Sequence, residues 1–166
     1  MASRARPSPR EPRQSVSAPA PLDTVIRKRM EATSQRDTGP EVELRRALHR
    51  LGWRFYVDRA PFEGMRSRAD ILFPRHALAI FVDGCFWHSC PIHGTWPKNN
   101  AAWWRAKIEG NQARDRRVTT QLIEAGWRVL RLWEHEPLAL AQEKVLELLQ
   151  GRRGSCLEVR SRAHAF

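Results

Sequence analysis

The run Ala77-Leu78-Ala79-Ile80-Phe81-Val82-Asp83 leads directly into Gly84-Cys85-Phe86-Trp87-His88-Ser89-Cys90-Pro91-Ile92-His93. The first segment is apolar up to its last residue. It reads as a strand buried on both faces, and therefore central in a sheet. The ten residues after it hold two thiols, two imidazoles and two adjacent aromatic rings. Metal ligands, a candidate acid/base and large flat side chains thus meet at the end of a central strand. A hydrophobic core has no use for that mixture. A site that holds zinc, touches stacked bases and performs chemistry does.

Working outward, Thr38-Gly39-Pro40-Glu41 reads as a helix start: a capping Thr, an early Pro and an acid in the first turn. Val42, Leu44, Ala47, Leu48 and Leu51 carry the helical period, and Gly52 ends it. Trp53 to Val57 reads as a strand, and Ala69 to Phe73 as a second one stopped by Pro74. Arg75-His76 is expected to turn the chain back antiparallel into the Ala77–Asp83 strand. Residues 85–99 read as irregular, 101–125 as a long helix closed by Gly126, 127–133 as a fourth strand and 138–149 as a last helix. This order predicts an α/β sandwich with a mixed sheet. Residues 1–22 are rich in Arg, Pro and Ser and are expected to form a disordered basic arm. The folded domain is expected over 23–150, with a loose basic tail over 151–166.

The formal net charge is +11 and the sequence pI about 11.0, a balance suited to a polyanion, with nucleic acid the leading candidate. No window approaches a membrane span, and the basic N-terminus lacks the apolar core of a signal peptide, so a cytoplasmic protein with no membrane partner is expected. Three cysteines and no export signal argue against a disulfide framework. Cys156 is expected to be a free thiol.

Cys85, Cys90 and His93 supply three ligands within nine positions, and zinc takes about four in a tetrahedron. His135, just past the fourth strand, is the best fourth. A Cys2His2 set leaves no open position and so predicts a structural zinc. His88 would then be surplus to the metal and available as a general base. Asp70 sits inside a strand, where Asp is disfavoured. Pairing about the Arg75-His76 turn would bring it near Asp83, and two carboxylates together can bind Mg2+. Trp104, Ile108, Asn111, Asp115, Val118 and Leu122 form one stripe of the long helix. Asn111 and Asp115 should therefore point inward, where they could orient His88 or the water at the cation. Lys107 and Arg114 lie off the stripe and could meet phosphates. Phe86 and Trp87 cannot both face one core from an extended chain, so one should be available to stack on bases.

Gly84-Cys85-Phe86-Trp87-His88, the run Asn111 to Arg117, and Gly126-Trp127-Arg128-Val129-Leu130 ending in Trp133-Glu134 resemble the very short patch repair endonucleases. Arg36-Asp37-Thr38 and the strand holding Asp70 fit the same family. The resemblance covers roughly residues 27–149. It implies a restriction-endonuclease-like fold and nicking of duplex DNA 5′ to the thymine of a T·G mismatch, the product of 5-methylcytosine deamination. It further implies Mg2+ at Asp70, with the Val82 backbone carbonyl as a second ligand. His88 would be the base, supported by Asn111 and Asp115, and Phe86, Trp87 and Trp104 a wedge entering the DNA. A structural zinc on Cys85, Cys90, His93 and His135 is implied as well. A monomer is expected, with mismatch-repair proteins as candidate partners. Val82 stands where the family has a metal-site Thr, Asp83 where its best-known members have a His, and His135 where they have a Cys. Two other functions fit the same residues: a related restriction-like nuclease with another target, and a non-catalytic zinc-held DNA-binding module.

Overall fold

A computed structural model describes residues 36–151 and 158–160. The N-terminal arm, the expected start of order at residue 23 and Cys156 lie outside these residues. Helix α1 spans Gly39–Arg50, strand β1 Tyr56–Arg59, β2 Ala69–Phe73 and β3 Leu78–Asp83. Helix α2 spans Ala101–Glu124, β4 Arg128–Trp133, α3 Leu138–Gln150 and β5 Glu158–Arg160. The five strands pair in sequence order. β1, β2 and β3 are antiparallel neighbours, whereas β3–β4 and β4–β5 are parallel. The parallel β3–β4 pair needs a crossover, and α2 supplies it. The sheet is mixed, with β3 at its centre, and the fold is α/β of the restriction-endonuclease-like kind.

Each face of the sheet is covered by helix. On one, Leu44 and Leu48 of α1 and Ala141, Val145 and Leu149 of α3 pack on Ile71, Phe73, Leu78, Ile80, Leu130 and Leu132. On the other, Val118 and Leu122 of α2 pack on Leu72, Ala79, Phe81 and Val129. Burying both faces explains why β3 reads as a near-continuous apolar run.

The start of α1 differs in detail from the expected cap. Thr38 makes no side-chain bond to the helix amides. Instead its hydroxyl donates to Glu41 Oε1 (2.8 Å), and the Asp37 N–H donates to Glu41 Oε2 (3.1 Å). The carboxylate three residues in therefore satisfies the entering backbone. Glu41 itself is buried.

Two elements differ from the sequence reading. β1 begins three residues later than expected, because Trp53 and Phe55 pack against the α1 side of the core instead of joining the ladder. Of the expected C-terminal tail, Glu158–Arg160 pairs with β4 as a fifth strand. The turn before β3 is a single 3-10 turn over Pro74–His76, with Ala77 left-handed at φ 45°. No helix among the described residues is long and apolar enough to cross a membrane.

The registers decide where chemistry can occur. Ile71 pairs with Ile80 across β2–β3, and Asp83 with Trp133 across β3–β4. The N-terminal end of β2 and the C-terminal ends of β3 and β4 thus share one edge. Asp70, Val82, Asp83 and Trp133 all lie there, and the loop holding Cys85 to His93 leaves from it.

Candidate active site and metal centre

Beyond Asp83 the chain folds into turns closed by backbone bonds. His88 N–H donates to the Gly84 carbonyl, Cys90 N–H to that of Cys85, and Gly94 N–H to that of Cys90 at 2.7 Å. Ser89 is left-handed at φ 53°, which reverses the chain between His88 and Cys90. Gly94 is required for space: a Cβ there would sit 2.4 Å from the Cys90 carbonyl oxygen. Glu134, just past β4, accepts from the Cys85 N–H (2.6 Å) and straps the loop to the sheet.

This fold sorts the loop residues into two groups. The first holds Cys85, Cys90, His93 and His135, whose ligand atoms all lie within 4.8 Å of one another. Cys85 Sγ is 3.0 Å from His135 Nδ1 and 4.0 Å from His93 Nδ1, and Cys90 Sγ is 3.7 Å from His135 Nδ1. Tetrahedral Zn2+ with bonds of roughly 2.3 Å to sulfur and 2.0 Å to nitrogen subtends S···N edges of about 3.6 Å. The separations bracket that value, and two thiols with two imidazoles are the donor chemistry zinc takes. Burial, with Cys90 and Glu134 close by, pushes the Cys85 thiol up to about 12. A cation in the group would reverse that penalty by favouring the thiolate.

The second group is Asp83, His88 and Asp115. His88 Nδ1–H donates to Asp115 Oδ2 at 2.5 Å and lies 3.8 Å from Asp83 Oδ1. Burial pushes the Asp115 carboxyl up, but the His88 hydrogen bond and the charges of Arg131, His88 and Arg114 outweigh it and hold it below the usual carboxylate range. An ionised carboxylate only accepts, so the His88 Nδ1 carries a proton, and in the neutral ring Nε2 is the accepting nitrogen. Beside them Asn111 Nδ2–H donates to the Trp87 carbonyl (3.1 Å) and Gln112 Nε2–H to that of His88 (3.4 Å). The inward stripe of α2 thus fixes both the ring and the backbone that carries it.

Asp83 is not free in the way its pairing with Asp70 led one to expect. The guanidinium of Arg131, two residues before Asp83's register partner Trp133 on β4, donates through Nε (2.7 Å) and Nη2 (2.5 Å) to its two oxygens. Asp70 stands apart, accepting the Val82 N–H at 2.7 Å. Burial, with Glu41 and Asp83 close by, raises its pKa from 3.8 to about 6, against the lowering effects of that N–H and of Arg131. A buried carboxylate among other acids favours a cation, and its oxygens are the hard donors that Mg2+ takes. The carboxylate bonded to His88 is that of Asp115.

Phe86, Trp87 and Trp104 form one half-buried cluster with ring centroids 5.1, 5.2 and 6.0 Å apart, and Trp103 stands 4.7 Å from Trp104. Lys107 and Arg114 are exposed on α2. Three contributors were missed from sequence: Arg131, Glu41 and Glu134. Arg131 did leave a signal, as a cation flanked by leucines in the middle of a strand.

A family model described as DNA mismatch endonuclease Vsr matches residues 23–93. The type II nicking enzyme V.NaeI of Lentzea aerocolonigenes is 44% identical, over 79% of this chain and 80% of its own length. The DNA mismatch endonuclease Vsr of Escherichia coli K12 is 38% identical, over 64% of this chain and 67% of its own. This chain belongs to the Vsr family. It is a DNA endonuclease, with DNA as its substrate. The type II nicking enzyme V.XorIIP of Xanthomonas oryzae pv. oryzae is 41% identical over 64% of this chain and 77% of its own, so Vsr-like nicking enzymes recur among the relatives.

Proposed function

We propose that this Vsr-family protein nicks one strand of duplex DNA on the 5′ side of the thymine in a T·G mismatch, with Mg2+ at Asp70 and a structural zinc on Cys85, Cys90, His93 and His135. The observation that carries the catalytic part is the His88–Asp115 bond at the sheet edge that also holds Asp70. With Nδ1 tied to Asp115, His88 offers Nε2 to take a proton from the attacking water, a service worth roughly 10²–10⁴ in rate. Asp115 orients the ring and stabilises the imidazolium once it forms. Asn111 holds the Trp87 carbonyl, and so keeps the base and the aromatic cluster in fixed relation. Asp70 and the Val82 carbonyl would hold the Mg2+, which supplies charge neutralisation at the scissile phosphate. The cluster of Phe86, Trp87 and Trp104 is suited to entering the base stack beside a mismatch, where unstacking is cheapest. Lys107 and Arg114 on α2 are positioned for phosphates, whose contacts orient the duplex without reading sequence.

Two further roles belong to the same reading. Glu41 adds negative charge beside Asp70. The Cys2His2 set closes around its metal, so the zinc would staple the loop instead of performing chemistry. The protein is read as acting as a monomer, with mismatch-repair proteins as candidate partners.

The nicking-enzyme relatives favour one rival, a Vsr-like nickase with a different target. Purified zinc-loaded protein, incubated with Mg2+ and matched duplexes carrying T·G, C·G or T·A at one position, separates the two. The proposal expects a nick 5′ to the T of T·G alone. Equal nicking of all three would overturn the mismatch reading, and cleavage without Mg2+ would overturn the cation.

A further inference from the structure

Four acids gather at the catalytic edge, and the protein supplies its own cations to three of them. Glu41 has Arg45, whose Nη2 lies 3.1 Å from Glu41 Oε2. Asp83 has the two-pronged grip of Arg131. Asp115 has the same guanidinium, with Arg131 Nη2 3.2 Å from its Oδ1, while its Oδ2 takes the His88 proton. Asp70 alone has no ion-pair partner among the described residues; it accepts only the Val82 N–H.

Arg131 is built to stay. It is buried at 9% exposure and lies over the Phe81 ring with its guanidinium carbon 5.0 Å from the centroid. It pairs with Phe81 in the β3–β4 register, so both project to the α2 side of the sheet. A guanidinium is charged at every working pH, and its planar fork matches a carboxylate edge to edge. The oxygens that would bind a metal between Asp83 and Asp115 already face N–H donors. By donor type alone, Asp83, His88 and Asp115 pass as a metal-binding set. By charge, that place is already filled.

We propose that Arg131 occupies the position of a second catalytic cation, leaving Asp70 as the single site for a divalent ion, and that it acts as a positioning residue by holding Asp115 in line with His88. This rests on the nuclease reading above and adds the ion count and the residue that sets it. Arg131 touches neither DNA nor water in this role. It works through Asp115 on the ring, and by denying Asp83 to the metal.

The test counts ions instead of products. The zinc-loaded full chain is titrated with Mn2+, and free Mn2+ is followed by electron paramagnetic resonance, with circular dichroism reporting the fold. The wild type should bind one Mn2+ per chain, lost in Asp70→Asn. Arg131→Gln should gain a second Mn2+, lost again when Asp83→Asn is added. Two ions on the wild type, or one on a folded Arg131→Gln, would overturn the proposal. Retention of the single ion by Asp70→Asn would instead overturn the Asp70 assignment, so the two failures are distinguishable. Should Arg131→Gln not fold, Arg131→Lys keeps the charge but lacks the fork. It should still bind one ion, yet lose at least about tenfold in kcat with KM for DNA unchanged, because orientation and not binding is damaged. An unchanged kcat would overturn the positioning role.

Discussion

Two clusters grow from the same ten residues and obey opposite electrostatics. Cys85, Cys90, His93 and His135 bring soft donors together with no internal cation among them, and burial, with Cys90 and Glu134 close by, pushes the Cys85 thiol up to about 12. Asp83, His88 and Asp115 bring donors equally close, but Arg131 lies against both carboxylates and Asp115 is held below the ordinary range. His88 stands between two thiols in sequence and belongs to the other cluster in space. Ligand types at ligand distances do not by themselves mark a metal site. The balance of charge around them does: the first cluster lacks a cation, and the second contains its own.

The sharpest way to break this contrast is at His88. His88→Ala should lower nicking by about 10²–10⁴-fold while zinc content and thermal midpoint stay near wild type. Loss of zinc in that variant would merge the two clusters. Cys90→Ala should do the reverse to the structure: zinc content falls, and the midpoint drops by on the order of 10 °C, since metal binding is coupled to folding. Calorimetry with metal analysis reads both, and a zinc-free protein with an unchanged midpoint would remove the staple.

Asp70 gives a prediction with a definite sign. Its folded pKa, about 6, lies above its ordinary 3.8. The fold therefore holds the proton more tightly than the unfolded chain, and stability falls as pH rises from about 4 to about 6 and stays lowered above that. Asp70→Asn carries no such penalty. In the absence of divalent cation it should stabilise the protein by about 3 kcal/mol at pH 7, and the gain should vanish below pH 4 while nicking is abolished. Denaturant titrations at both pH values decide it; an equal gain at both would contradict the buried charge. Gly94→Ala should cost on the order of 2 kcal/mol by forcing the Cys90 carbonyl aside, and should weaken zinc more than it slows chemistry. Smallest are Lys107→Ala and Arg114→Ala. Each should weaken DNA binding uniformly across sequences and lower the salt-dependence slope by about 1; slopes equal to wild type would remove both from the phosphate path.

Much of this was legible before the fold. The apolar run of β3 placed it centrally, and the Pro74–His76 turn put Asp70 and Asp83 at one edge. The stripe through Trp104, Asn111 and Asp115 pointed two polar groups at the loop. The failures share one cause, which is that tertiary pairing is not local. Trp53 and Phe55 look like strand residues but pack on the core, which delays β1. β5 is three residues within a basic segment, too short to show a period. Arg131 was visible as a cation in the middle of a strand, yet nothing nearby in sequence says that its partners are Asp83, 48 positions away, and Asp115 on the covering helix α2. Glu41 read as an ordinary acid in a first turn, and its place beside Asp70 depends on how α1 lies across the sheet.

The separation of the two clusters is tested most directly by zinc K-edge absorption on the full chain. Two sulfur and two nitrogen neighbours are predicted in the wild type, unchanged in His88→Ala and reduced by one nitrogen in His135→Ala. Loss of a nitrogen neighbour in His88→Ala would place the proposed base on the metal and contradict the account.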